Sequence, residues 1–176
     1  MIGTVTLVGA AETANDRLDA LYREHVPAAL RLAYLLTGNR TLAEDIVHDA
    51  FIKVAGRIRR VGEPEAFRAY LHQAVVNHVR SAGRRKVVAD RYLDRERHDP
   101  LRRDVAPPED RETAAELWAA LQQLPDRQCE VIVCRYYLDL SERETADLLR
   151  CPPGTVKSSM SRGLDALRAA LGGESR

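Results

Sequence analysis

Lys157, Ser158, Ser161 and Arg162 stand at spacings that put all four on one side of a helix. Two cations and two hydroxyls in that pattern suit hydrogen bonding to guanine edges, to other base edges or to phosphate oxygens. Thr155 opens the same helix, whose N-terminal amides offer a further seat for a phosphate. The opposite side carries Val156, Met160, Leu164, Leu167 and Leu171, at spacings of four, four, three and four, which is one apolar stripe. Just upstream, Ser141 and Glu144 make a capping box: the hydroxyl accepts a backbone N–H three residues on, and the carboxylate reaches back. Ala146, Leu148 and Leu149 give this shorter helix its apolar side. Cys151-Pro152-Pro153-Gly154 breaks it, because neither proline can donate a helical hydrogen bond. A short helix, a tight turn and a second helix with a polar and basic face fit a helix-turn-helix, whose second helix enters the DNA major groove. An ordinary helical hairpin has the same outline.

Positioning those residues takes a helical scaffold. Residues 16–36 predict a first helix with Leu18, Leu21, Tyr22, His25, Ala29, Leu32 and Leu36 on one face, stopped by Thr37-Gly38-Asn39. Thr41 and Glu44 repeat the capping-box pattern and predict a second helix, with Ile46, Val47, Ala50, Phe51 and Val54 as its stripe. Pro64 suits a first helical turn, and a third helix runs to about Ala82, with Gly83 ending or kinking it. Residues 87–111, rich in Arg and Asp and holding Pro100, Pro107 and Pro108, predict a flexible linker. Helices resume near Glu112, break at Leu124-Pro125 and run again from Asp126 to about Tyr137. Neither a strand alternation nor an internal repeat is visible. The expected fold class is all-α, two small helical domains joined by a flexible linker. The expected bounds are a flexible N-terminal leader at 1–15, a first domain at 16–86, the linker at 87–111 and a second domain at 112–176.

Four stretches carry a family resemblance. CPPGTVKSSMSRGLDALR resembles the end of region 4 of bacterial extracytoplasmic-function (ECF) sigma factors, small alternative specificity subunits of RNA polymerase, and LPDRQCEVIVCRYYLDLSERETADLL resembles its start. AYLLTGNRTLAEDIVHDAFIKV resembles their region 2, and FRAYLHQAVVNHVRSAGRRK the part that handles the minus-10 promoter element. Together they cover most of the chain in the family's order, with the flavour of actinobacterial members. The resemblance implies partners: core RNA polymerase through its β′ clamp helices and β flap, promoter DNA, and a possible anti-sigma factor covering the same faces.

Residue by residue, it implies that Asp45, His48, Asp49, Ile52 and Lys53 of the second helix dock on polymerase; read without it, that mixed face is a solvated surface. Asn77, within AVVN, matches an asparagine that helps hold a flipped non-template base; its amide both donates and accepts. Otherwise it is a cap or turn asparagine. His78, Arg80, Arg84, Arg85 and Lys86 continue beyond it as a basic run suited to phosphates of partly melted DNA. Phe67 and Tyr70 either pack in the core or stack on bases. Thr155, Lys157, Ser158, Ser161 and Arg162 match positions that touch the minus-35 element. Two positions depart from the family pattern. Ser159 replaces a residue that is basic in many relatives, which removes an expected phosphate contact. Arg150 stands where relatives often have glycine, and Gly154 with the two prolines is expected to preserve the turn.

Charge is uneven although the net is only +1. Residues 16–86 hold 13 basic and 8 acidic residues, net +5; residues 87–110 hold 5 and 7, net −2; residues 111–176 hold 9 and 10, net −1. The N-terminal half is therefore the one suited to a phosphate backbone, and the C-terminal half alone should bind DNA weakly. No apolar run reaches membrane-spanning length, so no membrane insertion is expected. The start, MIGTVTLVGAAETAN, lacks a basic flank, so it predicts a leader rather than a signal peptide, and a cytoplasmic protein. Cys129, Cys134 and Cys151 have no metal-ligand spacing, and Cys134 reads as a small core residue. No metal site, no cofactor and no enzyme are expected, because no nucleophile set or phosphate-binding glycine loop occurs. A stand-alone helix-turn-helix regulator and a helical anti-sigma-like interaction protein are the alternatives.

Overall fold

The computed structural model describes the backbone of residues 5–61, 66–86 and 111–172, and side chains for 16–57, 66–82 and 114–172. Within them the chain forms helices α1 (Val5–Thr37), α2 (Arg40–Val61), α3 (Phe67–Lys86), α4 (Arg111–Gln123), α5 (Asp126–Ile132), α6 (Glu142–Leu149) and α7 (Pro153–Gly172). A π-helical turn, Val133–Tyr137, continues α5. The segment read as the linker lies, from 87 to 110, outside the described residues, as does Pro64.

The N-terminal half is a three-helix unit. Val26, Ala29 and Leu32 of α1, Ile46, Val47, Ala50 and Val54 of α2, and Phe67, Leu71 and Val75 of α3 are buried together. Phe67 is fully buried, which is worth about 1.5–3 kcal/mol relative to exposure. Its ring meets Phe51 edge-on at 5.5 Å and stacks on His25 at 5.2 Å. Of its two sequence roles, core packing is therefore the one this residue has. The α1–α2 turn is tight because Gly38 takes φ +64°, in the left-handed region, while its N–H donates to the Tyr34 carbonyl at 2.8 Å.

Three local expectations need correction. The stretch read as a leader is helical from Val5 onward; VTLVGAAETAN contains no proline, and its Ala, Leu and Glu residues favour helix. The cap of α2 is Asn39, whose Oδ1 accepts the Leu42 N–H at 2.8 Å. Thr41 is already inside the helix, and Glu44 pairs with Arg40 at 2.9 Å instead. Gly83 does not end α3, which continues to Lys86; a single glycine costs only about 1 kcal/mol in a helix.

In the C-terminal half, Leu124-Pro125 separates α4 from α5 as the proline requires. The Ser141–Glu144 capping box is present in full: Glu144 N–H to Ser141 Oγ is 3.2 Å, and Ser141 N–H to Glu144 Oε2 is 2.7 Å. These hydrogen bonds hold the exposed Glu144 carboxyl below its ordinary value. Val131, Cys134, Leu149 and Val156 are buried at the centre of this half.

Candidate nucleic-acid interface

The turn between α6 and α7 fixes the angle at which α7 is presented. Arg150 caps α6 with φ 50° and ψ 55°, a left-handed conformation that favours glycine. Cys151 N–H then reaches back to the Ala146 carbonyl at 3.0 Å, and Thr155 N–H to the Pro152 carbonyl at 2.9 Å. The turn is present, as expected despite Arg150, but its bend is made at Arg150 and not at Gly154. Gly154 lies in the first turn of α7 with open space around it, and the strained position is Arg150 itself. An arginine thus adopts here a conformation that glycine takes without strain.

On α7, Val156, Ser159, Gly163 and Leu167 face the core. Gly163 allows close approach of α5, since a Cβ there would lie 2.7 Å from Ile132 Cδ1 and 3.3 Å from Gln128 Cβ. Ser159 is buried on the same side, so it does not occupy a phosphate-facing position and its departure from a basic residue removes no outward contact here. Lys157, Ser158, Ser161 and Arg162 are all exposed and Thr155 is half-buried. Arg162 Nε donates to the Ser158 carbonyl at 3.1 Å and Nη2 to Ser158 Oγ at 3.3 Å. Ser158 Oγ donates to the Thr155 carbonyl at 3.2 Å. These are exposed contacts within one helix, cheap to exchange for an incoming base edge or phosphate.

The α3 set is arranged differently. Asn77, His78 and Arg80 are half-buried, and the Asn77 carbonyl accepts from Ser81 Oγ at 2.9 Å. Arg80 does not point outward as a free cation. Its Nη1 donates to the Leu149 carbonyl at 2.7 Å, and its Nε lies 3.5 Å from Glu130 Oε1. Arg84, Arg85 and Lys86 form the last turn of α3, with side chains outside the described residues. Tyr70 is half-buried, and the Arg57 guanidinium sits 4.9 Å above its ring. Nearby, burial foremost, then Arg68 and His25, pushes His72 down from 6.5 to about 4.

On α2, Asp45, His48, Asp49, Ile52 and Lys53 share one exposed face. Ile52 is 58% exposed, an apolar group in the middle of charges, which is the make-up of a docking surface with an apolar centre and a polar rim.

The cysteines are not a reactive cluster. Cys129 and Cys134 are buried thiols pushed up to about 12, chiefly by burial and then by Glu130. Among the described residues no group of His, Cys, Asp or Glu is placed to hold a metal ion. No described helix is long and apolar enough to cross a membrane.

Sequence reasoning missed the partners of Arg80. It also missed the π-helical turn, which leaves Tyr136 exposed and sends the Tyr137 hydroxyl to the Ala28 carbonyl at 3.1 Å. Neither has a local signal, because the partners lie 69 and 109 residues away.

Residues 21–87 match the family description "Sigma-70 region 2" and residues 114–167 match "Sigma-70, region 4". The chain is 34% identical over 175 residues to the ECF RNA polymerase sigma factor SigW of Bacillus subtilis, covering 93% of this chain and 91% of that one. It is 32% identical over 166 residues to SigE of Mycolicibacterium smegmatis, covering 91% of this chain and 63% of that one. Among solved structures it resembles the sigma factor RpoE of Bartonella quintana, crystallised with the anti-sigma factor NepR, at TM-score 0.61 and 24% identity, over 92% of this chain and 99% of that one. That last likeness concerns the fold.

Proposed function

The chain belongs to the extracytoplasmic-function sigma factors of the sigma-70 family, and from that premise we propose how its surfaces divide the work of starting transcription. An alternative sigma factor binds core RNA polymerase, directs it to particular promoters and promotes DNA opening. In our reading a region 2 domain spans residues 16–86 and a region 4 domain residues 112–176.

The exposed face of α2, from Asp45 to Lys53, docks on the polymerase clamp. Charges set register and encounter rate there, and Ile52 adds apolar burial. Lys157, Ser158, Ser161 and Arg162 read the minus-35 duplex from α7, with Thr155 and the helix amides on a phosphate. Asn77 and the basic run after it engage the minus-10 element. Opening is the trapping of a base already extruded by thermal fluctuation, so binding energy separates the strands and no covalent bond is made. No catalysis by the chain itself is proposed. The work takes place in the cytoplasm, where polymerase and DNA are. An anti-sigma factor is proposed as a further partner, bound over the same faces.

The observation that carries this reading is the α7 face: four predicted DNA-contacting side chains, all exposed, on the second helix of a capped helix-turn-helix. The test is in vitro transcription with core polymerase. Adding the chain is expected to produce transcripts from defined start sites, which sequencing would identify. Core polymerase that stays non-specific, together with tight promoter binding by the free chain at physiological salt, would instead support the stand-alone regulator.

A further inference from the structure

Among the described residues two that are not glycine have a positive φ: Asp139 at 52° and Arg150 at 50°. They are not equivalent. Aspartate has a short polar side chain that tolerates the left-handed region, whereas arginine enters it against the steric pressure of its own Cβ. A strained residue of this kind persists where something else holds it in place or makes use of it.

Within the folded chain the Arg150 side chain has no such employment. It is exposed, and among the described residues its guanidinium has neither an ion pair nor a hydrogen bond. Asp147, three residues before it, is exposed and does not pair with it. The Arg150 N–H closes α6 onto the Ala146 and Asp147 carbonyls, which any residue but proline could do. Two arginines of α7 are engaged by contrast: Arg162 on Ser158, and Arg168 on Asp165 at 2.8 Å. The free cation on the strained backbone is thus left for a partner outside the chain.

Its place identifies the partner's chemistry. Arg150 stands on the turn that leads into α7, next to the end of the helix that carries Thr155, Lys157 and Ser158. A helix seated in the major groove brings that end close to the DNA backbone, which carries one phosphate charge per about 1.7 Å of axis. Positive charge is scarce here. Residues 111–176 are net −1, and Ser159 is buried and uncharged. Neutral donors are also few, because Pro153 has no N–H and the Thr155 N–H is spent on the Pro152 carbonyl at 2.9 Å.

We infer that Arg150 is a phosphate contact of the minus-35 reading surface, gripping the DNA backbone beside the groove that α7 enters. The inference rests on the sigma-factor reading for the identity of the DNA. The contact is independent of sequence. Reading a guanine edge needs the guanidinium fork held in one plane, and nothing on the turn holds this one, whereas a phosphate accepts it from many directions. The turn therefore keeps a residue less comfortable than glycine because DNA, not the chain, supplies its partner.

The experiment compares holoenzymes carrying the wild-type chain, Arg150→Gln, Arg150→Gly or Arg150→Lys on one duplex promoter over a range of salt. Arg150→Gln and Arg150→Gly should bind about fivefold more weakly at about 0.15 M salt, with the slope of log affinity against log salt shallower by about one. The loss should be equal on promoters with altered minus-35 bases, and Arg150→Lys should keep the wild-type slope. Duplexes with a single neutral methylphosphonate locate the contact: one position should weaken the wild type about fivefold and leave Arg150→Gln unaffected. Thermal melting checks that each variant is folded. If glycine alters the turn, Arg150→Gln decides, since it keeps a Cβ and a polar side chain but loses the charge. Unchanged affinity and slope in folded Arg150→Gln would overturn the inference, and so would a loss that varies with the minus-35 bases. A wild-type holoenzyme without promoter preference would instead remove the sigma-factor reading. The same salt slopes, measured with the free chain on duplex DNA at low salt, would then decide the role of Arg150.

Discussion

The two helices assigned to DNA stand in different surroundings. On α7 the contact set is wholly exposed, and the hydrogen bonds of Arg162 and Ser158 stay within their own helix. On α3, Arg80 is engaged by a carbonyl and a carboxylate of the other half, and Asn77 and His78 are half-buried. One surface is ready as it stands and the other is partly covered. The difference teaches that a helix's own periodicity shows which side packs within its half, but not what a second half brings against the remaining side.

The largest expected effect comes from the exposed face of α2. Asp49→Lys with Lys53→Glu should weaken core-polymerase binding by several kcal/mol, about a hundredfold or more, through misplaced charge at an interface. Both residues are exposed, so fold stability should change by no more than about 0.5 kcal/mol each. Titration against core polymerase, with circular dichroism as a control, measures both; undiminished binding would remove α2 as the docking helix. Next in size is Arg162→Ala, which should cost about 1–3 kcal/mol of duplex promoter binding by holoenzyme if it reads a base, and less if it meets only phosphate.

A smaller effect concerns pH in the N-terminal half. His72 has a folded value lowered from 6.5 to about 4, so the unfolded chain binds its proton first as pH falls. Its stabilising contribution is therefore complete above about 6.5 and is lost as pH drops through about 4. Glu130, raised chiefly by burial, works in the opposite direction, since its folded form takes up a proton more readily. Denaturant titrations across this range should show a decline that His72→Gln reduces, by an amount on the order of 1–2 kcal/mol. An unchanged slope would mean that His72 is not held neutral.

The smallest effect sharpens the other half. Arg150→Gly should raise stability by about 1 kcal/mol or less, because relief of the left-handed strain outweighs the glycine's extra unfolded freedom. A lower melting temperature would show that the arginine side chain supports the turn.

Features written in adjacent residues were legible from the sequence. The Ser141–Glu144 box, the Leu124-Pro125 break and the outward set on α7 each follow from chemistry within one or two turns. Thr41 was read as the cap of α2, whereas Asn39, read only as part of the preceding stop, holds that place, because Gly38 bends the chain just before it. Arg150 was recognised as a departure at the turn, but that its own backbone is left-handed was not legible, because a sequence does not show φ. Ser159 was read as an outward position, whereas it turns inward with Val156 and Gly163. The long-range contacts were not legible, since Arg80 and Leu149, or Tyr137 and Ala28, are brought together only by the packing of whole helices.

The division of labour between the two DNA surfaces is tested most directly by permanganate footprinting of holoenzymes carrying Asn77→Ala or Arg162→Ala, on duplex templates and on templates premelted across the minus-10 element. Asn77→Ala should still dock at the minus-35 element but open the duplex poorly, with premelting partly restoring it. Arg162→Ala should lose minus-35 recognition on both templates. If both variants fail at the same step, or if Asn77→Ala opens duplex DNA normally, the assignment of melting to α3 and of duplex reading to α7 is contradicted.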